Sequence, residues 1–217
     1  MHAVTTIGLD IAKSVFQVHG VDAQGNVAVR RQLKRRQVLP FFKKLSPCLV
    51  GIEACATSHH WSRELQALGH TVRLMPPAYV KPYVRRGKND AADAAAICEA
   101  VTRPSMRFVP IKSEQQQSGL MLHRSRQLLV RQRTMLSNAL RGHMTELGII
   151  SAKGRNGTAE LLAVIANAED ERIPAAARLS LDAFARQYAN ITAEIRAIEK
   201  HIHAWHRPCE ESRRLEE

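Results

Sequence analysis

Four acidic residues stand at positions where they could share a metal ion. Asp10 ends one apolar segment and Glu53 ends another, while Asp90 and Asp93 stand one helical turn apart in an alanine-rich segment. Carboxylate oxygens suit Mg²⁺ or Mn²⁺, and the cation offsets the repulsion between clustered acids. Two such ions about 4 Å apart stabilise both the attacking and the leaving oxygen in phosphodiester chemistry. We therefore predict a metal-dependent catalytic site made of these four acids.

Basic residues flank the predicted acids along the chain. Arg85, Arg86 and Lys88 precede Asp90, and Lys13 follows the first acid. Cationic side chains beside a metal site can hold the phosphates of a strand that enters it. We expect these four basic residues to contact nucleic acid.

Each acid taken alone has a more ordinary explanation. An Asp after a strand is usually a turn former, and acids in the first turn of a helix complement its dipole. The context favours a shared site, because the acids fall at two strand ends and in a third element of an otherwise basic chain.

The first half of the chain has the pattern of an α/β domain. Period-two alternation and short apolar runs indicate strands, and Thr57 or Ser58 can cap a helix that Gly69 would end. The order βββαβαβα predicts a mixed sheet with helices on both faces. The pattern predicts strands at 4–10, 14–20, 26–30, 48–53 and 72–75 and helices at 34–45, 58–68 and 90–103.

The second half of the chain has a helical pattern only. We place the domain boundary near Pro110, which gives an α/β domain at 1–110 and a helical, nucleic-acid-binding region at 111–217. No acidic residue lies between Glu114 and Glu146, so a helix there would be strongly electropositive. An apolar stripe is predicted at Leu122, Leu129, Leu136, Leu140 and Leu147, and nucleic-acid contacts at Arg124, Arg126, Arg131, Arg133 and Arg141.

The last helix carries a coiled-coil pattern. Apolar residues recur at alternating spacings of three and four, which fills the a and d positions of heptads. This seam could pack antiparallel on the preceding basic helix of the same chain or pair with another chain, and the pattern does not separate the two. The seam consists of Leu181, Phe184, Tyr188, Ile191, Ile195, Ile198, Ile202 and Trp205.

Composition limits the possible partners and location. A formal net charge of +12 favours polyanions, with nucleic acid first among them. No apolar run has the length that a bilayer requires, and the first ten residues lack the order of a signal peptide. We therefore expect a cytoplasmic protein with no membrane partner, and four cysteines that are reduced and serve packing.

Four sequence blocks together resemble one family of proteins. They are residues 8–13 (GLDIAK), 51–55 (GIEAC), 58–61 (SHHW) and 88–94 (KNDAADA). In identity, order and spacing they resemble the DEDD transposases of bacterial insertion sequences, a family that includes pilin-gene-inverting recombinases. The similarity extends through most of the first 147 residues and depends on no single motif.

The resemblance implies a fold, a metal site and several partners. The implied fold is ribonuclease H-like, close to Holliday-junction resolvases, followed by an α-helical coiled-coil region. Asp10, Glu53, Asp90 and Asp93 match the four acids that bind the divalent metal. The implied function is metal-dependent DNA strand cleavage and exchange in transposition. The implied partners are DNA, a structured guide RNA and further copies of the chain, as a dimer or tetramer assembled through the coiled coil.

The resemblance also implies a catalytic serine in a later, Gly-rich domain. The printed sequence ends at Glu217 before such a segment, so we assign no nucleophile and expect this chain alone to be inactive. Ser105, Ser113, Ser118 and Ser151 have no supporting motif.

Two other functions fit parts of the sequence. Residues 8–14 also resemble the first phosphate loop of actin-like kinases, but the second Asp-Gly loop and the adenosine-binding turn of those enzymes do not follow. Alternatively, the chain is a non-catalytic DNA- or RNA-binding module, or a truncated competitor of a full-length transposase.

Overall fold

The computed structural model describes residues 3–84 and 90–207, without the side chains of Asp90 and Ala91. The chain divides into two compact units, Met1–Ser113 and Glu114–Glu217. We call them the α/β unit and the helical unit and describe each by itself.

The α/β unit contains a five-stranded mixed sheet. Its strands lie in the order β3-β2-β1-β4-β5. β1 and β2 pair antiparallel, as do β2 and β3, whereas β4 pairs parallel with both β1 and β5. The predicted mixed sheet with three antiparallel strands first is confirmed. The strands are β1 Thr6–Ile11, β2 Val15–Val21, β3 Val27–Lys34, β4 Leu49–Glu53 and β5 Thr71–Met75.

Four helices accompany the sheet. They are α1 Val38–Phe42, α2 Ser58–Ala67, α3 Pro77–Val80 and α4 Asp90–Ala100, with 3-10 turns at Arg35–Gln37 and Lys81–Tyr83. The arrangement is α/β with flanking helices and is consistent with a ribonuclease H-like fold.

Two predicted helices are too long. The prediction over 34–45 is wrong at both ends, because Lys34 still pairs with Val15 in the sheet and the helix ends at Phe42. The prediction over 90–103 is wrong in its last turn, where the Thr102 hydroxyl donates to the Glu99 carbonyl at 2.8 Å beyond the end of the helix. A side chain that bonds to a nearby carbonyl in this way competes with regular helix.

The sheet buries apolar residues on one face and α4 covers the other. Ile7, Leu9, Val50 and Ile52 are fully buried in a core that also contains Leu65 of α2. α4 contributes to a separate cluster with the end of β5 and the residues that follow it. Burial of these side chains supplies most of the driving force for forming the sheet.

The helical unit consists of α5 Glu114–Glu146, α6 Arg155–Ala166 and α7 Ala175–His206. α5 and α7 run antiparallel within the chain, since Gly119 contacts Trp205 near one end and Leu140 shares a core cluster with Leu181 near the other. All eight residues of the predicted seam are buried or half-buried. Within the described ranges, no helix has both the length and the apolar character needed to cross a membrane.

Candidate active site

Asp10 and Glu53 lie at neighbouring strand ends. β1 and β4 run parallel, and their last paired residues are Leu9 and Ile52. The next residue along each strand is one of the two acids, and both are half-buried. Because parallel strands end at the same edge of a sheet, the two carboxylates leave that edge side by side.

Two glycines determine which face of the sheet carries these acids. Gly8 and Gly51 are paired in register, and a Cβ added to Gly8 would clash with the Ala94 carbonyl oxygen of α4. A Cβ added to Gly51 would lie 2.7 Å from Cβ of Val101. The helix therefore lies directly on the strand backbones. Alternate residues of a strand point to the same face, so Asp10 and Glu53 point to the face that α4 covers.

Asp93 joins this edge from α4. It directly precedes Ala94, the residue seated on Gly8, and its side chain is half-buried. The pKa of Glu53 is raised above its ordinary value, first by burial and then by the negative charge of Asp93. The carboxylates of Glu53 and Asp93 therefore lie close enough to repel each other, and a bound cation would offset this repulsion.

The other predicted site residues are only partly described. Asp90 is the first residue of α4, but its side chain lies outside the described part, as do Arg85, Arg86 and Lys88. Among the described residues, no group of three or more His, Cys, Asp and Glu side chains could hold a metal ion. Because the side chain of Asp90 lies outside the described part, the four-acid site stays a prediction.

An arginine that the sequence analysis missed supports the turn after Asp10. The guanidinium of Arg35 lies 5.5 Å from the centroid of the Phe16 ring and 5.4 Å from that of Trp61. Its Nη2 donates to the Lys13 carbonyl at 3.5 Å. Stacking of this kind steadies both partners. No local pattern marks Arg35, because these contacts link residues from three elements. The Lys13 side chain itself is exposed.

Glu53 is followed by a tightly bonded loop. The Ser58 hydroxyl accepts from the Cys55 N–H at 3.1 Å and donates to the Cys55 carbonyl at 2.9 Å, and Ser58 is fully buried. These two bonds hold the loop that connects β4 to α2 against the first residue of α2. Thr57 occupies the N-cap position, where it forms no side-chain capping bond.

The five predicted arginines of α5 fall into two groups. Arg124, Arg126 and Arg131 are exposed, and Arg126 forms an ion pair of 2.6 Å with Glu199 of α7. Arg133 and Arg141 are half-buried and line a cavity of about 410 Å³ within the helical unit. The basic face of α5 therefore includes both an open surface and a recessed part.

Comparison with known proteins identifies the family. The model of IS110-type DEDD transposases, described as Transposase, matches residues 7–149. The chain belongs to this family, which confirms the resemblance noted from the motifs.

Two curated relatives agree with this assignment. The chain is 50% identical over 202 residues to a "Probable family 20 transposase" of Pseudomonas aeruginosa, covering 93% of this chain and 60% of the relative. It is 36% identical over 202 residues to the "Transposase for insertion sequence element IS1328" of Yersinia enterocolitica, with the same two coverages, 93% and 60%. The chain thus spans less than two thirds of the length of either relative.

Proposed function

We propose that this chain carries the metal-binding part of a DNA transposase that cleaves and exchanges DNA strands when an insertion sequence moves. The observation that carries the proposal is the pairing of β1 with β4, which brings Asp10 and Glu53 side by side beneath the helix that bears Asp93. Hard carboxylate oxygens at one sheet edge suit Mg²⁺ or Mn²⁺.

Asp10, Glu53, Asp90 and Asp93 would hold the cation. When bound, it would supply positive charge that stabilises the developing charge on a phosphodiester in the transition state. The chain's own contribution is to orient the four carboxylates through rigid main-chain packing and to draw DNA in by its positive charge. We propose that Lys13, Arg85, Arg86 and Lys88 bind the phosphates of the strand, and that the nucleophile is a serine from a further domain.

Calorimetric titration of the full chain with Mg²⁺ and with Mn²⁺ tests the site. Removing a direct ligand in Asp10→Ala or Asp90→Ala should weaken binding by more than about tenfold, since even the outer partners of ligands contribute that much. Glu99→Ala is the matched control, because Glu99 is an exposed acid of α4 paired with Arg103. Unchanged affinity in both ligand variants would rule out the site.

The helical unit suggests how copies of the chain assemble. Met121, Leu128 and Met135 recur every seventh residue of α5 and are 69%, 52% and 69% exposed. A heptad repeat of apolar residues is typical of a coiled-coil seam. We propose that this exposed seam, beside the antiparallel pair of α5 and α7, joins copies into a dimer or tetramer. Mass measurement by light scattering should then show a smaller species for Leu128→Glu than for the wild-type chain.

The second candidate function is a nucleic-acid module without catalysis of its own. The basic face of α5 favours it, because a positive surface binds DNA or RNA whether or not a metal site works. In the family context we propose a structured guide RNA as one ligand of this face, with Arg124, Arg126, Arg131, Arg133 and Arg141 as its contacts. A chain that binds RNA tightly but takes up no divalent metal would support this function over the first.

A further inference from the structure

A recessed cavity in the helical unit is lined by four cationic residues. It has a volume of about 410 Å³ and lies between α5 and the loop that begins α6, with Tyr188 of α7 among its lining residues. No described acidic residue lines it. The four cations are Arg133 and Arg141 of α5 and Lys153 and Arg155 of the loop and first turn of α6. Like charges gathered in one cavity repel each other unless an anion is present.

Arg141 is held by two side-chain hydrogen bonds, and one of its donors has no partner among the described residues. Its Nη1 donates to Oδ1 of Asn138 at 2.9 Å, and its Nη2 donates to Oγ of Ser137 at 3.3 Å. Its Nε is buried and has no partner among the described residues. An unpaired buried donor on a charged group is costly, so the described residues give this guanidinium fewer acceptors than its five N–H donors can use.

The loop before α6 is held against the helix by glycine packing. A Cβ added to Gly157 would clash with the Ala152 carbonyl oxygen, and Gly154 has a positive φ of 97°. The Thr158 hydroxyl donates to the Gly154 carbonyl at 2.9 Å and lies 2.7 Å from the Ser137 hydroxyl. This packing keeps Lys153 and Arg155 beside α5. The positive end of the α6 dipole adds to their charge.

We infer that this cavity binds a phosphate group of a nucleic-acid backbone. The inference deepens the proposed nucleic-acid binding and rests on it. A phosphodiester carries a negative charge and several acceptor oxygens, so it can accept from the cationic N–H groups that line the cavity while it relieves the repulsion among these cations. A backbone also offers further phosphates to the exposed arginines of α5, which a free anion would not.

The test is the salt dependence of binding by the full chain. The variant Lys153→Gln/Arg155→Gln removes two exposed charges from the cavity, and Arg186→Gln/Arg196→Gln removes two exposed charges from α7 outside it. Dissociation constants are measured against salt for a single-stranded RNA and for a DNA duplex. Losing one phosphate contact should lower the salt slope by about 0.7 for the RNA or about 0.9 for the duplex. The α7 control should keep the wild-type slope.

Each outcome decides one of the two proposals. A wild-type chain that binds neither polymer in a salt-dependent way overturns nucleic-acid binding as a function. Wild-type binding with an unchanged slope in the cavity variant, or an equal fall in the α7 control, overturns the cavity alone. The polymer whose slope falls identifies the backbone that the cavity holds. If the double variant unfolds, the same measurement is made on Arg133→Gln, which changes a residue of the long helix α5. Inorganic phosphate should displace nucleic acid less well from Arg133→Gln than from the wild-type chain.

Discussion

The two units hold their charged side chains in different ways. In the α/β unit, Asp10 and Glu53 stand at the ends of buried strands, and α4 lies directly on the main chain of Gly8 and Gly51. In the helical unit, the arginines of α5 are placed by contacts between side chains, such as the ion pair of Arg126 with Glu199.

The difference affects how each unit tolerates change. Acids fixed by main-chain packing move together when the backbone moves, so a substitution at a distance from them can disturb the whole site. Cations fixed by separate side-chain contacts respond one at a time. Surface ion pairs of this kind contribute little to stability, typically about 0.2–1 kcal/mol. Substitution of Gly8 or Gly51 should therefore lower the stability of the α/β unit strongly, whereas substitution of a single surface charge should change the stability of the helical unit little.

The largest effect is expected for Gly8→Ala. The added methyl group would clash with the main chain of α4, which has no flexible end to move away. Overpacking of this kind lowers the free energy of unfolding by about 1–3 kcal/mol. Displacement of α4 would also move Asp93 away from Glu53 and weaken metal binding. Chemical denaturation followed by circular dichroism measures the first effect and calorimetry the second.

Gly142→Ala is the matched control in the other unit. A Cβ at Gly142 of α5 would meet nothing within 4 Å, so the substitution should raise the free energy of unfolding by about 0.5–1 kcal/mol through helix propensity. If Gly8→Ala were as stable as the wild-type chain, α4 would not rest on β1 and the comparison between the units would fail.

A smaller loss is expected for Ser58→Ala. The fully buried hydroxyl bonds both the N–H and the carbonyl of Cys55. Its removal takes a partner from the N–H, whereas the carbonyl still accepts from the Ser58 N–H, so we expect a loss of about 0.5–1.5 kcal/mol. Ser118→Ala is the control, because the exposed Ser118 hydroxyl bonds only the Glu114 carbonyl within α5. Its effect should stay within about 0.5 kcal/mol. If chemical denaturation showed the same loss in free energy of unfolding for both variants, the buried Ser58 hydroxyl would contribute no more to stability than the exposed Ser118 hydroxyl.

The α/β unit was largely predictable because its pattern is local. Alternating and continuous apolar runs marked all five strands, and the strand ends gave Asp10 and Glu53 their places. The glycines that seat α4 carried no comparable signal, since their role depends on a helix that comes much later in the chain. That the four acids share one site was predicted from their context and from the family motifs, and it stays a prediction, because strand ends alone do not reveal which strands are neighbours.

For the helical unit, the sequence predicted the helices but not which of their charged side chains are paired or line a cavity. Heptad spacing identified α7 and its apolar stripe, and it left open whether the partner is within the chain. It could not show that Arg126 is paired or that Lys153 and Arg155 line a cavity with α5. Those facts depend on the approach of the loop to α6 at Gly157, which is a tertiary contact. The number of basic residues therefore predicts that the unit binds anions, whereas the packing of the helices and loops determines the position of the binding site.

The smallest effect is expected at an ion pair of the helical unit. Arg172 donates to both carboxylate oxygens of Asp170 at 2.9 and 2.6 Å, and mainly this bond lowers the pKa of Asp170 to about 2. A carboxyl with a lowered pKa in the folded state stabilises the fold above its ordinary pKa of 3.8. That contribution is lost as the pH falls from there towards about 2. The total loss should be small, because the pair lies at the surface.

Arg172→Gln should therefore move the pKa of Asp170 back towards its ordinary value and flatten this part of the pH dependence of unfolding. A carbon-detected NMR titration of the Asp170 carboxyl measures the first effect directly. Arg186→Gln is the control, since this exposed arginine of α7 is not among the groups that shift Asp170. A pKa that stays near 2 in Arg172→Gln would mean that other charges of the unit hold the carboxylate. The helical unit would then fix its charges more collectively than its separate ion pairs suggest, and the contrast with the α/β unit would narrow.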